Sequence, residues 1–455
     1  MTKFLFTTLP TNDLGLLTRS LPIARELAAH GHGISFCSPA SAPDRLIAQA
    51  GFENRIPGHP LYDFIARGQN IRRFLRFITS GQWRESSDSL FNFLRELIMA
   101  LPIKSTPDTL EIWNTDHAGA LMGMLNEGFV RANCEAFKEL IEEYEPDIIV
   151  DFWNPFAVIA ARSLQKPLVT VIQADAHPAS QGFIWWKAPP ATIPTPVPIV
   201  NKVLVDFTLP PISTLSELSV GDLTLVVGMP ETDPLPANTD VTYIGPILWQ
   251  EEKAKLPNWI DDLSRDKPLL WIYSGNPHYA TSGKTLDSMV VLQSCIAALA
   301  GENVNVVLTT GYHLLPKHVQ PLPSNFHHEP YVPGLAMAER SDLLIHHGGY
   351  GSCQTGLYMG KPAVIIPTFS ERESNARRVA ATGAGAWVQV ENGHGGKRVN
   401  VEQLRSTIKC VLSDPAFANN ARRIRQRMLS YGGPSQAAHL IERYSQKALP
   451  VASGR

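Results

Sequence analysis

Short apolar runs alternate with stretches of helical spacing in this chain, and the alternation starts twice. Residues 3–9 (KFLFTTL) form a β-rich run suited to a strand buried on both faces. Leu17, Leu21, Ala24, Leu27 and Ala28 then recur at helical spacing over 14–29. Gly31, His32 and Gly33 close that helix, 33–38 reads as a second strand, and 42–50 as a second helix. Strand, helix, strand, helix in this order predicts a parallel sheet covered by helices. The rhythm breaks over about 58–143, a stretch of mostly helical pattern rich in Phe, Arg and Leu. It returns with a strand at 147–152, a helix at 155–164 and strands at 168–173, 223–228 and 241–244. Residues 177–200, dominated by Pro, Trp and Ala, read as a long loop.

Residues 246–267 are polar and bounded by prolines, and the pattern restarts at Pro268. Strands are expected at 269–275, 305–311, 326–332, 342–349, 363–367 and 386–390. Helices are expected at 284–300, 335–340, 352–359 and 373–382, with helices from there to the end. The whole reads as α/β with two halves: 1–245 carrying the insert at about 58–143, 246–433, and a last helix at 434–447 returning to the first half.

Composition excludes several classes of function. With 455 residues the chain has room for two or three domains. A net charge of −2 with 18% charged residues argues against a nucleic-acid binder that works through bulk positive charge. No stretch approaches the ~18 unbroken apolar residues of a membrane span. The first residues, MTKFLFTTLP, lack the apolar length and cleavage site of a signal peptide. Cys37, Cys134, Cys295, Cys353 and Cys410 are scattered and odd in number, as reduced thiols of a cytoplasmic protein would be.

The stretch 342–367 (DLLIHHGGYGSCQTGLYMGKPAVIIP) carries the most chemistry. A buried strand runs into Gly348, Gly349, Tyr350 and Gly351 and then a helix opened by Ser352. Amides at a helix start point outward unpaired, and the dipole adds partial positive charge. His347 and Ser352 can each donate to a phosphate oxygen. A plain turn is the alternative, and this polar pair tilts the balance toward phosphate. After the first strand stands PTNDLG rather than GxGxxG, so a dinucleotide oxidoreductase loses its main support. No GxxxxGK[ST] is present, and no HExxH or paired His/Cys spacing points to a catalytic metal.

The run HHGGYGS, GKP, IIP, ERESNARRV and GAG resembles the donor-binding signature of family 1 glycosyltransferases, which have the GT-B fold. PDIIVDF, KPLVTV, YIGPI and YGGPSQAAHLIERY are similar to other parts of that family, so the resemblance spans nearly the whole chain. It implies two Rossmann-like domains facing each other across a cleft. It implies an inverting transfer of a sugar from a UDP- or dTDP-activated donor to a hydroxyl of a small apolar or aromatic acceptor. His347, Gly349, Gly351 and Ser352 would hold the diphosphate. Val332, before Pro333, would pair with the base, and Ser274 and Gly275 would form the phosphate-side loop. Glu371 and Asn375 match the acid and asparagine near the sugar hydroxyls. No metal or further cofactor is expected, and the partners are the nucleotide sugar and the acceptor, with no nucleic acid and no stable membrane insertion, in a monomer or homodimer.

Three departures matter. Arg372 stands where the family has Gln after the acid, and Thr355 where it has the Glu that meets the ribose. The third concerns the base, a His in a Gly-His-x-x-Pro turn, which falls here on Gly15-Leu16-Leu17-Thr18-Arg19. Leu16 cannot accept a proton, so it is left as an acceptor-side residue. Asp13 and Asp151 are then the candidate bases, each read equally well as structural: Asp13 as an N-cap, Asp151 as a strand-end carboxylate. Asp175 and His177 are spare candidates on the same sheet edge. Trp185 and Trp186 either wall an apolar acceptor or belong to the core. The rival readings are a non-catalytic nucleotide-sugar-binding partner of another transferase, and a nucleotide-sugar epimerase or hydrolase.

Overall fold

The computed structural model describes residues 1–9, 14–38, 41–57, 94–95, 98–99, 101, 103, 111–250, 255–275, 288–311, 313–393 and 396–449. Asp13 and most of the 58–110 part of the insert lie outside the described residues. Two parallel sheets organise the chain. The first holds β1 (Lys3–Thr8), β2 (Gly33–Cys37), β3 (Glu53–Asn54), β4 (Ile148–Phe152), β5 (Leu168–Ile172), β6 (Leu223–Val227) and β7 (Thr242–Gly245), in the order β3-β2-β1-β4-β5-β6-β7. The second holds β8 (Leu269–Tyr273), β9 (Asn305–Thr309), β10 (Phe326–Glu329), β11 (Leu343–His346), β12 (Ala363–Ile365) and β13 (Gly385–Trp387), in the order β10-β9-β8-β11-β12-β13.

Both orders reverse direction once, between β1 and β4 and between β8 and β11. At such a switch point the connections leave to opposite sides and open a crevice beyond the carboxyl ends of the strands. The candidate residues of the first half and of the second gather at these two crevices.

The strands form because both of their faces are buried. In β1, Leu5 points into one apolar layer and Phe4 and Phe6 into the other, as the two-residue repeat of a strand requires. The first layer is completed by α4 (Glu127–Tyr144), α5 (Pro155–Ser163) and α6 (Val197–Asp206), preceded in the chain by the shorter α3 (Thr115–Leu121); α1 (Leu17–Ala29) and α2 (Ser41–Gln49) lie on the opposite face. α6 corrects the expectation of a loop throughout 177–200. Pro198 stands in its first turn, where the missing N–H costs nothing.

The second sheet is covered by α7 (Ser288–Leu299) and α11 (Val401–Ser413) on one face. α8 (Gly334–Arg340), α9 (Tyr350–Tyr358), α10 (Ser370–Ala381) and α12 (Pro415–Leu429) cover the other. The strand expected at 386–390 splits. Gly385–Trp387 stays in the sheet, and Val390–Gly393 turns out to pair with Gly396–Val399 in an antiparallel hairpin, where Glu391 opposes Arg398.

The chain crosses between the sheets at Gly245, where φ is +79° and a Cβ would stand 2.7 Å from that of Tyr431. It returns at the end. α13 (Gly433–Ala448) buries Ala437, Ala438 and Ile441 in the core of the first sheet, and Tyr444 donates to Asp222 at 2.8 Å. Among the described residues no helix is long and apolar enough to cross a membrane.

Candidate active site

The second crevice is built from the ends of β8 and β11. Ser274 and Gly275 follow β8, and Ser274 is fully buried, its hydroxyl donating to the Gly275 carbonyl at 3.1 Å. His346 ends β11, and His347 and Gly348 follow it. Gly348 has φ +88°, and a Cβ there would meet the Arg372 carbonyl at 2.7 Å, so only glycine fits this turn. The next residue, Gly349, caps α9 with backbone alone. Asn114, Asn126 and Asn154 side chains cap α3, α4 and α5, whereas no side chain caps α9. Its first amides thus remain available to a ligand. Gly351 is exposed, with nothing within 4 Å of an added Cβ, and Ser352 is half-buried beside it.

His347 lies under this helix start. Its ring packs 5.3 Å from that of Tyr273, and a Cβ on Gly349 would stand 2.7 Å from Nε2. Burial holds its pKa well below the usual imidazole value, helped by the charge of Arg372 and by His346. His347 is therefore neutral at pH 7. It offers a hydrogen bond and no charge, which sharpens the part expected of it in stabilising a diphosphate.

Glu371 and Asn375 open α10 beside the same turn. The Asn375 amide donates to Glu371 Oε1 at 2.8 Å and to the Gly348 carbonyl at 3.0 Å, tying the acid to the glycine turn. Burial raises the Glu371 pKa, against the hydrogen bond from Asn375. Arg372 donates to Thr368 Oγ1 at 2.5 Å and stacks on Phe369. Thr355 donates to the Gly351 carbonyl at 2.8 Å, and Val332 is buried in the core under α8.

The first crevice lies between β1 and β4. Asp151 stands one residue before the end of β4 and is almost wholly buried. It accepts from Thr7 Oγ1 at 2.5 Å and from the Asn154 amide at 3.0 Å. Burial outweighs these hydrogen bonds and raises its pKa to about 7. Leu16 stands before α1 and packs against the cluster of Phe6 and Phe152.

The two crevices face each other, and side chains of both halves join them. Ser370, at the start of α10, exchanges hydrogen bonds with both backbone groups of Ile112 at 2.9 and 2.8 Å. The Tyr350 ring leaves α9 for the core of the first sheet, and its hydroxyl donates to the Val227 carbonyl at 2.7 Å and to Asp233 at 3.0 Å. Asp175, the spare candidate on this sheet edge, is buried and paired with Arg378 of α10. A strand-end carboxylate is drawn to a buried guanidinium because neither can stay unpaired away from water. Trp185 donates to Ser374 at 3.1 Å, and Arg377 lies between Trp186 and Trp387 at 4.3 and 4.6 Å. These tryptophans thus strap the 177–196 loop onto α10. His177 accepts from the Ala179 amide within its own loop. No local pattern marks Asp233, Arg378 or Tyr350 as partners; only an acid and a base left over in separate halves hint at a pair.

Two facing parallel sheets with their ligand crevices opposed define a GT-B protein. Residues 293–443 match the family described as Erythromycin biosynthesis protein CIII-like, C-terminal domain. The chain is 32% identical over 207 residues to the PGL/p-HBAD biosynthesis glycosyltransferase of Mycobacterium tuberculosis (strain ATCC 25177 / H37Ra), covering 45% of this chain and 44% of that protein. It is 25% identical over 315 residues to the NDP-glycosyltransferase YjiC of Bacillus subtilis (strain 168), covering 68% of this chain and 76% of that one. The solved structure of the spinosyn rhamnosyltransferase SpnG complexed with thymidine diphosphate matches with a TM-score of 0.64 at 17% identity, over 97% of this chain and 100% of that chain. The match thus spans less than half the length of the mycobacterial relative. The chain thus has the GT-B fold, and its second half is similar in sequence to glycosyltransferases.

Proposed function

We propose that the protein transfers a sugar from a nucleoside diphosphate to a hydroxyl of a small apolar or aromatic acceptor, with inversion. The observation that carries this reading is the uncapped start of α9, open at Gly351, set over a buried neutral His347 at the switch point of the second sheet. A diphosphate satisfies those amides, and His347 and Ser352 add hydrogen bonds to it. The base and ribose lie along Val332 and Thr355, with Ser274 and Gly275 on the phosphate side. Glu371, held by Asn375, faces the sugar hydroxyls, and Arg372 stands beside it. The similarity to YjiC, an NDP-glycosyltransferase by name, and to SpnG, solved with thymidine diphosphate, supports this donor class.

In the reaction the acceptor oxygen attacks the anomeric carbon as the bond to the diphosphate breaks. Asp151 takes the acceptor proton in this reading, since Leu16 cannot and a carboxyl poised near 7 suits that work. Closure of the crevices keeps water from the donor. The described cysteines are free thiols, in keeping with a reducing cytoplasm.

The test is turnover of UDP- and dTDP-sugars with a panel of phenols and alcohols, and product analysis without acceptor. Transfer with loss of the alcohol reaction in Asp151→Asn supports the reading. Nucleotide binding without any product would leave a binding protein. Sugar inversion or hydrolysis without acceptor would mark an epimerase or hydrolase.

A further inference from the structure

The open helix start of α9 is neutral apart from its amides, yet a departing diphosphate gains a full negative charge. The buried His347 supplies none of the opposing charge. Arg372 supplies some from the same domain, though its guanidinium is occupied with Thr368 and Phe369. The opposite domain offers a second cation. Arg19 lies in the first turn of α1, beyond the end of β1, and its guanidinium carbon sits 5.2 Å from the centroid of the Tyr350 ring.

Both sides of that contact are fixed. Arg19 Nε donates to the Gly15 carbonyl at 2.8 Å, which orients the guanidinium. The Tyr350 ring is anchored by its hydroxyl to Val227 and Asp233. Tyr350 is the first residue of α9, directly after the cap Gly349. The arginine therefore stacks on the side chain of the residue that opens α9. Its charge also favours the ionised form of the Glu371 carboxyl. The side chain is half-buried, so a ligand can meet it while part of the surrounding water is excluded. Position 19 is the one at which the family resemblance places the proline of Gly-His-x-x-Pro. The same turn that has lost its histidine at Leu16 thus carries a cation at Arg19.

Resting on the donor reading above, we propose that Arg19 contacts the diphosphate of the nucleotide sugar from the acceptor domain and stabilises the charge left on it when the anomeric bond breaks. The donor's diphosphate would then be gripped from both domains, by α9 amides on one side and by a guanidinium on the other. A bidentate guanidinium suits phosphate oxygens better than a point charge does. Transfer forms the bond from acceptor oxygen to anomeric carbon and breaks the bond to the β-phosphate. The electron pair goes to that phosphate, where Arg19 meets it.

The test compares UDP and UMP, and dTDP and dTMP, by titration calorimetry on the full chain in wild type, Arg19→Gln and Arg19→Lys. Arg19→Gln should bind the diphosphates about tenfold or more weakly, as for loss of one charged hydrogen bond, with the monophosphates changed less than threefold. Arg19→Lys should regain part of that loss. In turnover, kcat of Arg19→Gln should fall about a hundredfold, with KM for the donor changed less. Equal weakening of mono- and diphosphates, or no weakening at all, overturns the proposal and leaves Arg19 as a brace for Tyr350. If Arg19→Gln does not fold, the lysine variant decides alone: a threefold to tenfold selective loss of diphosphate supports the contact, and wild-type binding overturns it. Wild-type protein that binds neither diphosphate would overturn the donor reading itself, and this proposal with it.

Discussion

Arg378 and Asp175 meet across the two domains, Nη2 to Oδ1 at 2.5 Å, with both side chains more than nine-tenths buried. Asp233 adds its charge to the same guanidinium, and Tyr350 links Asp233 to the start of α9. One arginine thus balances two acids of the other domain, and the network ends at the proposed phosphate site.

Arg378→Met should cost about 3–5 kcal/mol of stability, because it leaves Asp175 and Asp233 buried without their cation. Asp175→Asn added to it should recover part of the loss, since paired residues are not additive. Urea denaturation of the three variants measures both effects. A cost under about 1 kcal/mol for Arg378→Met would show that water reaches the network freely.

Gly349→Ala and Gly351→Ala should separate packing from ligand contact. The new Cβ at 349 meets His347 Nε2 at 2.7 Å, whereas at 351 it meets nothing within 4 Å. Melting temperature should fall for the first and hold or rise for the second, as alanine is the better helix residue by about 0.5–1 kcal/mol. Both should weaken nucleoside diphosphate binding, Gly351→Ala only by crowding the bound phosphate. Unchanged affinity in Gly351→Ala would move the phosphate away from this turn.

Asp233 links stability to pH. Burial raises its pKa to about 7 from 3.8, although Arg378, Thr232 and Tyr350 favour the ionised form; Asp175 opposes it. The folded state therefore binds more protons than the unfolded one between these values. Asp233's contribution to stability is greatest at low pH, declines as pH rises from about 4 to about 7, and is flat above. Asp151 acts in the same direction. Asp233→Asn removes one titration, so its melting temperature relative to wild type should climb between pH 5 and pH 8. Parallel curves across that range would mean that Asp233 ionises normally in the fold.

The strands were legible because burial on both faces leaves nearly unbroken apolar runs, as in 148–152 and 305–309. The glycine turn was legible because its backbone geometry demands glycine at 348. α6 was hidden by its prolines, which mark a helix start as readily as a loop. The hairpin at Val390–Gly393 was hidden because pairing with Gly396–Val399 outcompeted extension of β13.

By itself the sequence determined the two parallel sheets, the phosphate-type turn at Gly348 and Gly349, and the absence of a histidine at position 16. These follow from local patterns: burial along a strand, backbone freedom at a turn, and the chemistry of one side chain. Only the tertiary structure decided what Asp175, Arg378, Asp233, Tyr350 and Arg19 do. Their partners lie more than a hundred residues away, and a charge chooses its counterion by distance in space after desolvation. The same desolvation makes His347 neutral and brings Asp151 close to 7, two protonation states that no residue alphabet encodes.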